Sequence, residues 1–310
     1  MPDRLPDTFV LSSEVLRARA LDLPIVALES TVITHGLPYP DNLELAQEME
    51  ELVRGQGVVP ATVAVLDGKI CVGLNSTQIN RLAVEKGMLK ISTRDYAAAL
   101  AQGKSGGTTV AGTLFAAHRA GIRVFATGGI GGVHRDAPFD VSADLTLLST
   151  IPMLVVCAGA KAILDLPATL ECLETLGVPV LGFQTREFPA FYSRSSGLKV
   201  SARAESPEAA AQIAHSHWAL GFQSAVLLAV PPPEETAMSR EQVEGYIEMA
   251  LSEMGGQVSG QQVTPYLLKR VSELSHGASL RVNLALLKNN ARVAAQAARY
   301  LIHGHRQSRI

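Results

Sequence analysis

The stretch Met153-Leu154-Val155-Val156-Cys157-Ala158-Gly159-Ala160-Lys161 decides how this chain is read. Its first five residues form a short, apolar, valine-rich run, the pattern of a strand buried on both faces of a parallel sheet. Beyond Lys161 the apolar residues take helical spacing, so the lysine is expected at a strand-to-helix turn. In open α/β sheets that carboxyl edge is where ligands bind. A lysine that loses its water there holds its proton less well, and the free amine can attack a carbonyl carbon. Lysines at strand ends also reach for solvent or a carboxylate, and this segment alone leaves both readings open.

Outward from that stretch, strands and helices alternate. Residues 24–28 and 123–126 read as short apolar strands, and 41–54 as a helix with Leu45, Met49, Leu52 and Val53 on one face before Gly55 and Gly57 stop it. Residues 62–66 and 69–72 flank Asp67-Gly68, a two-residue hairpin signal that makes the sheet mixed. Residues 109–120 read as a helix, 178–183 and 224–230 as two more strands, with a helix between them entered through Ser206-Pro207. After Pro231-Pro232-Pro233 the pattern is wholly helical: Ser239-x-x-Gln242 and Thr264-Pro265 open two helices, and 280–302 carries the last. The expected fold class is α/β: a three-layer α/β/α sandwich with a mixed central sheet and a helical C-terminal segment. Residues 1–310 are expected to form a single domain, with 1–20 as an N-terminal extension and 231–302 packed on the same domain.

A chain of 310 residues is long enough to bury a large core. With 47% hydrophobic residues and a formal net charge of −2, it carries no nucleic-acid footprint, and a small-molecule ligand fits better. Cys71, Cys157 and Cys172 are odd in number and share no C-x-x-C spacing, which points to a reducing cytoplasm. The start, Met1-Pro2-Asp3-Arg4-Leu5-Pro6-Asp7, does not look like a secretory leader, and no apolar run approaches a membrane span. The expected location is cytoplasmic.

Polar clusters fall where strands end. Glu29-Ser30-Thr31 follows one strand, the loop Thr127-Gly128-Gly129-Ile130-Gly131-Gly132 with His134-Arg135 follows another, and Lys161 follows a third. If the three share an edge, an acid faces an amine, as general acid plus Schiff-base chemistry requires. Glu29 alone reads more readily as a cap or an arginine partner. The glycine loop fails as a dinucleotide fingerprint, because His134 stands where the third glycine belongs. Lys104-Ser105-Gly106-Gly107-Thr108-Thr109 leads into a helix and reads as an anion site suited to a sugar phosphate, and Lys90 and Arg94 add positive charge or form a surface turn. Asp136, Asp140 and Asp144 are oxygen ligands of the type a hard divalent ion takes. The pairs His215/His217 and His303/His305 have no third ligand nearby in sequence and read as surface residues.

Four motifs together resemble one family. They are Ala27-Leu28-Glu29-Ser30-Thr31-Val32-Ile33-Thr34-His35-Gly36-Leu37-Pro38-Tyr39-Pro40, Gly128-Gly129-Ile130-Gly131-Gly132-Val133-His134-Arg135, Phe139-Asp140-Val141-Ser142-Ala143-Asp144-Leu145 and Val156-Cys157-Ala158-Gly159-Ala160-Lys161. In this order, over residues 24–298, the chain resembles the pseudouridine-5′-phosphate glycosidases, the indigoidine synthase A-like family. The resemblance implies an α/β/α homotrimer that uses Mn²⁺, one ion per subunit with Mg²⁺ as the alternative, and cleaves pseudouridine 5′-phosphate to uracil and ribose 5-phosphate. It implies Lys161 as covalent nucleophile, Glu29 as proton donor and Asp140 as metal ligand. It also implies substrate contacts from Lys90, Val110, His134, Ser142, Ala143, Asp144 and Asn283. Two other readings stand beside it: a Schiff-base sugar-phosphate lyase or aldolase, and a noncatalytic sugar-phosphate binding protein. Uracil among the products separates the first from the family reading, and binding without turnover would mark the second.

Overall fold

Four-residue runs such as Ile25-Val26-Ala27-Leu28 and Leu154-Val155-Val156-Cys157 have no polar side to present, and each lies wholly buried at the centre of a sheet. The computed structural model describes residues 5–135, 137–254, 258 and 263–307. In its first half the chain runs β1 (Phe9–Leu11), α1 (Ser13–Ala20), β2 (Ile25–Leu28), α2 (Asp41–Arg54), β3 (Val59–Leu66), β4 (Lys69–Val72), α3 (Ser76–Val84), β5 (Leu89–Ile91), α4 (Tyr96–Ala101), β6 (Gly106–Thr108), α5 (Val110–Arg119) and β7 (Val124–Ala126). It continues through β8 (Val133–His134), β9 (Ala137–Val141), α6 (Ala143–Leu148), β10 (Leu154–Cys157), β11 (Leu164–Asp165), α7 (Leu166–Thr175), β12 (Val180–Phe183), β13 (Ala202–Ala204), α8 (Pro207–Ala219), β14 (Val226–Ala229), α9 (Arg240–Met254), α10 (Val263–Leu274) and α11 (Ala278–Gln307).

Among the described residues the main sheet has eleven strands, in the order β1-β4-β3-β2-β7-β10-β14-β12-β13, with β6 pairing β3 and β5 to one side. From β3 through β13 every neighbouring pair along that order is parallel. Two antiparallel pairings, β3 with β4 and β3 with β6, make the sheet mixed. The first is the hairpin expected at Asp67-Gly68, where both residues take positive φ, 48° and 73°. Helices α2, α8 and α11 pack together against one face, and α5 with α6 against the other, which gives the three-layer α/β/α arrangement with its helical C-terminal segment. A smaller antiparallel sheet, β11-β8-β9, sits beside it.

Several elements differ from the sequence expectation. The segment 1–20, read as an extension, supplies from residue 9 onward an edge strand paired with β4 and a helix that buries Val15 and Ala18. Lys161 is not followed directly by a helix. The chain first makes β11, which pairs with β8, and α7 starts at Leu166 with Asp165 as its cap, accepting from the Ala168 amide at 2.9 Å. Pro265 lies in the first turn of α10, where a missing N–H leaves no bond unmade. The last helix continues to Gln307 and takes His303 and His305 into its course. Asp136 lies outside the described residues. No helix among those described is long and apolar enough to cross a membrane.

Candidate active site

The three central strands β2, β7 and β10 lie side by side and in register, with Leu28 opposite Ala126 and Ala126 opposite Val156. Their carboxyl ends therefore deliver Glu29, the glycine loop and Lys161 to one edge of the sheet. A cavity of about 360 Å³ opens there. Glu29, Lys90, Val110, His134, Asp140, Ser142, Ala143, Asp144, Lys161 and Asn283 all line it, so the residues that the family resemblance singled out meet in one place.

Lys161 is held through its backbone. Past the strand ends, the segments 127–131 and 158–161 go on exchanging main-chain bonds: Ala158 N–H to Gly128 O at 2.8 Å, Ile130 N–H to Gly159 O at 3.0 Å and Lys161 N–H to Ile130 O at 3.1 Å. The turn depends on Gly159, whose φ is +86° and where a Cβ would fall 2.4 Å from the Pro189 carbonyl. Lys161 is half-buried and lines the cavity.

Glu29 is only 8% exposed. Thr127 donates its hydroxyl to Glu29 Oε1, and Thr31 Oγ1 lies 3.0 Å from Oε2. Burial raises the carboxyl above its ordinary value, while the positive charge of Lys161 and the Thr127 hydroxyl oppose that rise. A carboxyl so placed keeps its proton into a pH range where an exposed glutamate has lost it. It is equipped to be a proton donor.

Asp144 is turned toward the backbone. Its Oδ1 accepts from Ala111 N–H and its Oδ2 from Gly131 N–H, both at 2.8 Å, so one carboxylate ties the start of α5 to the glycine loop. Ser142 caps α6 by accepting from the Asp144 amide at 3.2 Å. Gly131 is required at this junction, because a Cβ there would stand 2.2 Å from Ser142 Oγ and 2.7 Å from Asp144 Oδ2. Val110 and Ala143 open α5 and α6, and both helix starts face the cavity. The expected anion segment is thus only partly at the site: Thr109 and Val110 line it, whereas residues 106–108 are spent as strand β6.

Positive charge comes from Lys90 on β5 and Arg94 just beyond it, both on the cavity wall. Burial, and then the charge of Lys161, pull Lys90 below the usual lysine value, with Asp144 and Glu29 acting the other way. His35, in a π-helical turn spanning Val32–Gly36, is lowered by burial and by Lys90, and its Nδ1 lies 2.6 Å from Thr34 Oγ1.

The metal reading narrows here. Among the described residues no group of three or more histidine, cysteine, aspartate or glutamate side chains could hold an ion. Asp144, expected among the oxygen ligands, has each oxygen engaged by a main-chain amide instead. Asp140, exposed on β9, presents one carboxylate to the cavity. Such a donor fits a hard divalent ion that keeps several waters.

Sequence reasoning passed over Thr31 and Thr127 as partners of Glu29, although both lie inside quoted motifs. It also missed Asn290 on α11, which donates Nδ2 to the carbonyls of Thr127 at 2.9 Å and Gly128 at 3.4 Å and so braces the loop from behind. The spacing of Asn283, Leu287 and Asn290 puts all three on one helix face, a signal that was available. Phe191 closes the cavity wall from a positive φ of 60°, with nothing in the sequence to announce it.

Comparison with known proteins agrees with this geometry. The chain is 52% identical over 291 residues to the pseudouridine-5′-phosphate glycosidase of Caldanaerobacter subterraneus subsp. tengcongensis, covering 93% of this chain and 95% of that protein. It is 54% identical over 299 residues to the protein of the same name from Sorangium cellulosum, covering 95% and 94%. Among solved structures, the prealnumycin C-glycosynthase AlnA in complex with ribulose 5-phosphate superposes with a TM-score of 0.90 at 40% identity, covering 98% of this chain and 100% of that one. An indigoidine synthase A-like protein from Thermotoga maritima gives 0.88 at 35% identity, covering 96% and 99%. The family described as indigoidine synthase A like protein matches residues 14–300, and with a buried carboxyl and an amine lining one cavity at the sheet's carboxyl edge, the chain belongs to that family.

Proposed function

We propose that this protein is a pseudouridine-5′-phosphate glycosidase, cleaving the bond between ribose carbon and uracil carbon to give uracil and ribose 5-phosphate. The observation that carries the reading is the placement of Glu29 and Lys161 beyond the ends of β2 and β10, the two strands that flank β7, lining one cavity. The names of relatives about half identical over nearly the whole chain support the substrate. AlnA, crystallised with a phosphopentose, supports the sugar-phosphate class and makes synthesis of C-glycosides the natural reverse of the same chemistry.

An amine is needed because of the bond. Ordinary glycosidases manage with two carboxylates, since the departing oxygen accepts a proton, but uracil attached through carbon would leave as a poor carbanion. Glu29 protonates the ribose ring oxygen and the ring opens with help from the uracil. Lys161 then adds at C1′, forming a C–N bond. The nitrogen lone pair expels the uracil carbon, which regains a proton, and water hydrolyses the remaining iminium to release ribose 5-phosphate and the free amine. Lys90 and Arg94 supply positive charge for the phosphate, while Val110, His134, Ser142, Ala143, Asp144 and Asn283 shape the wall around the sugar and base. Asp140 would hold one Mn²⁺ or Mg²⁺ per subunit, whose charge offsets that of the substrate. A cytoplasmic homotrimer is the assembly the family resemblance supports.

The test is incubation with pseudouridine 5′-phosphate and Mn²⁺, with uracil followed by chromatography. Borohydride added with ribose 5-phosphate should fix a pentose phosphate on the peptide containing Lys161. Uracil release without any such adduct would reject the imine route, and no uracil at all would reject the substrate.

A further inference from the structure

The hydrogen-bond distances around Glu29 constrain where its proton sits. Thr31 Oγ1 is 2.7 Å from the carbonyl oxygen of Thr108 and 3.0 Å from Glu29 Oε2. A threonine hydroxyl has one proton to give, and a carbonyl oxygen can only accept. Thr108 is fully buried, so leaving its carbonyl without a donor would carry the full desolvation penalty. The Thr31 proton therefore goes to the shorter, buried bond. At 3.0 Å, two oxygens with no proton between them would repel, so the contact with Oε2 needs a proton from the glutamate side. The other carboxyl oxygen, Oε1, accepts from Thr127, which makes Oε1 the carbonyl oxygen of a neutral acid and Oε2 its hydroxyl.

The geometry points to Thr31 as a positioning residue that accepts the Oε2 proton of a neutral Glu29 in the empty site, a place that the substrate oxygen takes when it binds. This rests on the proposed glycosidase reading for its purpose, though not for the proton placement itself. Thr31 and Glu29 both line the cavity, so an incoming ring oxygen can replace Thr31 as the acceptor. On transfer the Oε2–H bond breaks, an O–H bond forms on the substrate oxygen, and the electron pair stays on Glu29 as carboxylate. The charged groups facing Glu29 are Lys161 from the β10 end, Asp144 from α6 and Lys90 from β5. Lys161 is placed to stabilise the carboxylate once it forms. Thr127 stays hydrogen-bonded to Oε1 throughout and keeps the carboxyl from rotating, so the proton is presented from one oxygen only.

The experiment is infrared difference spectroscopy on ¹³C-glutamate-labelled full-length protein without substrate at neutral pH, with E29Q as the blank. A protonated-carboxyl C=O band lost in E29Q is expected. That band should shift in T31V, which keeps the shape but removes the acceptor, and return close to its wild-type position in T31S. Absence of the band in the wild type overturns the proposal without recourse to any variant, as does a band that T31V leaves in place. Because no turnover is involved, uracil release measured separately judges the glycosidase reading on its own.

Discussion

Glu29 shows how far one side chain's surroundings set its chemistry. The folded protein holds its proton more tightly than the unfolded chain, whose glutamate titrates near 4.5. Between that value and the raised folded value, the native state binds more protons than the unfolded one, so stability must fall as pH rises. The contribution is complete below the ordinary glutamate range and is gone once pH passes the folded value. E29Q cannot titrate, and its stability in urea, compared with wild type across pH 5 to 8, should lack this decline, a slope of at most about 1.4 kcal/mol per pH unit. Parallel curves for the two proteins would mean that the carboxyl is not held neutral. The same substitution removes the proton donor, and uracil release should slow by roughly 10²- to 10⁴-fold with folding retained.

Elements meet the site from behind as well as from the strand ends. Helix α11 lays Asn283 and Leu287 on the cavity wall and sends Asn290 underneath, to the carbonyls that open the glycine loop. Asn290 is 1% exposed and its Oδ1 finds no partner among the described residues, so its amide N–H groups, rather than its oxygen, hold it in the core. N290A should cost about 1–3 kcal/mol in unfolding free energy through the Thr127 carbonyl it strands, since the Gly128 carbonyl keeps its bond from Ala158 N–H. It should also lower kcat by roughly ten- to hundred-fold, with less effect on KM, because the loop carrying Thr127 loses its brace. A variant destabilised by this amount but unchanged in kcat would separate the helix from the chemistry.

What the sequence disclosed follows from the same physics. Buried strands such as 154–157 are legible because both faces must be apolar, and the hairpin at Asp67-Gly68 because two consecutive positive φ values leave few residue choices. Glu29, Lys161 and Asp140 are legible because they break apolar or glycine-rich runs with charge. Thr31 and Thr127 were not legible as partners of Glu29, since a hydroxyl looks the same in sequence whether it meets solvent, a carboxyl two residues away or one a hundred residues away, and the helix spacing that puts Asn290 on the face of Asn283 does not say which carbonyls it meets. The short strand β11 escaped for a similar reason: it exists only through its pairing with β8. Asp144 was legible as an acid at the site but not as a partner of backbone amides, which only the approach of α5 to the glycine loop reveals.

On the scale of the whole molecule, the proposed metal stands apart from the framework. Asp140 is on β9 in the small sheet, exposed, whereas the core is built from the central strands and the helices over them. Chelation with EDTA should therefore suppress uracil release, restorable by Mn²⁺, while Tm stays within about 2 °C, the shift that a loss near 1 kcal/mol would give in a chain of this size. A collapse of Tm on chelation would instead make the ion a structural staple.

The three neighbouring strands that present Glu29, Thr127 and Lys161 are separated along the chain by roughly a hundred and then thirty residues, so no fragment containing one of them can organise the other two. Competence arrives only with the closing of the sheet's middle. During refolding from denaturant, recovered turnover should trail the fluorescence of Trp218, which reports the docking of one helix, α8, against Arg123 and Ser224, and an emerging chain on the ribosome stays silent until its second half has been made.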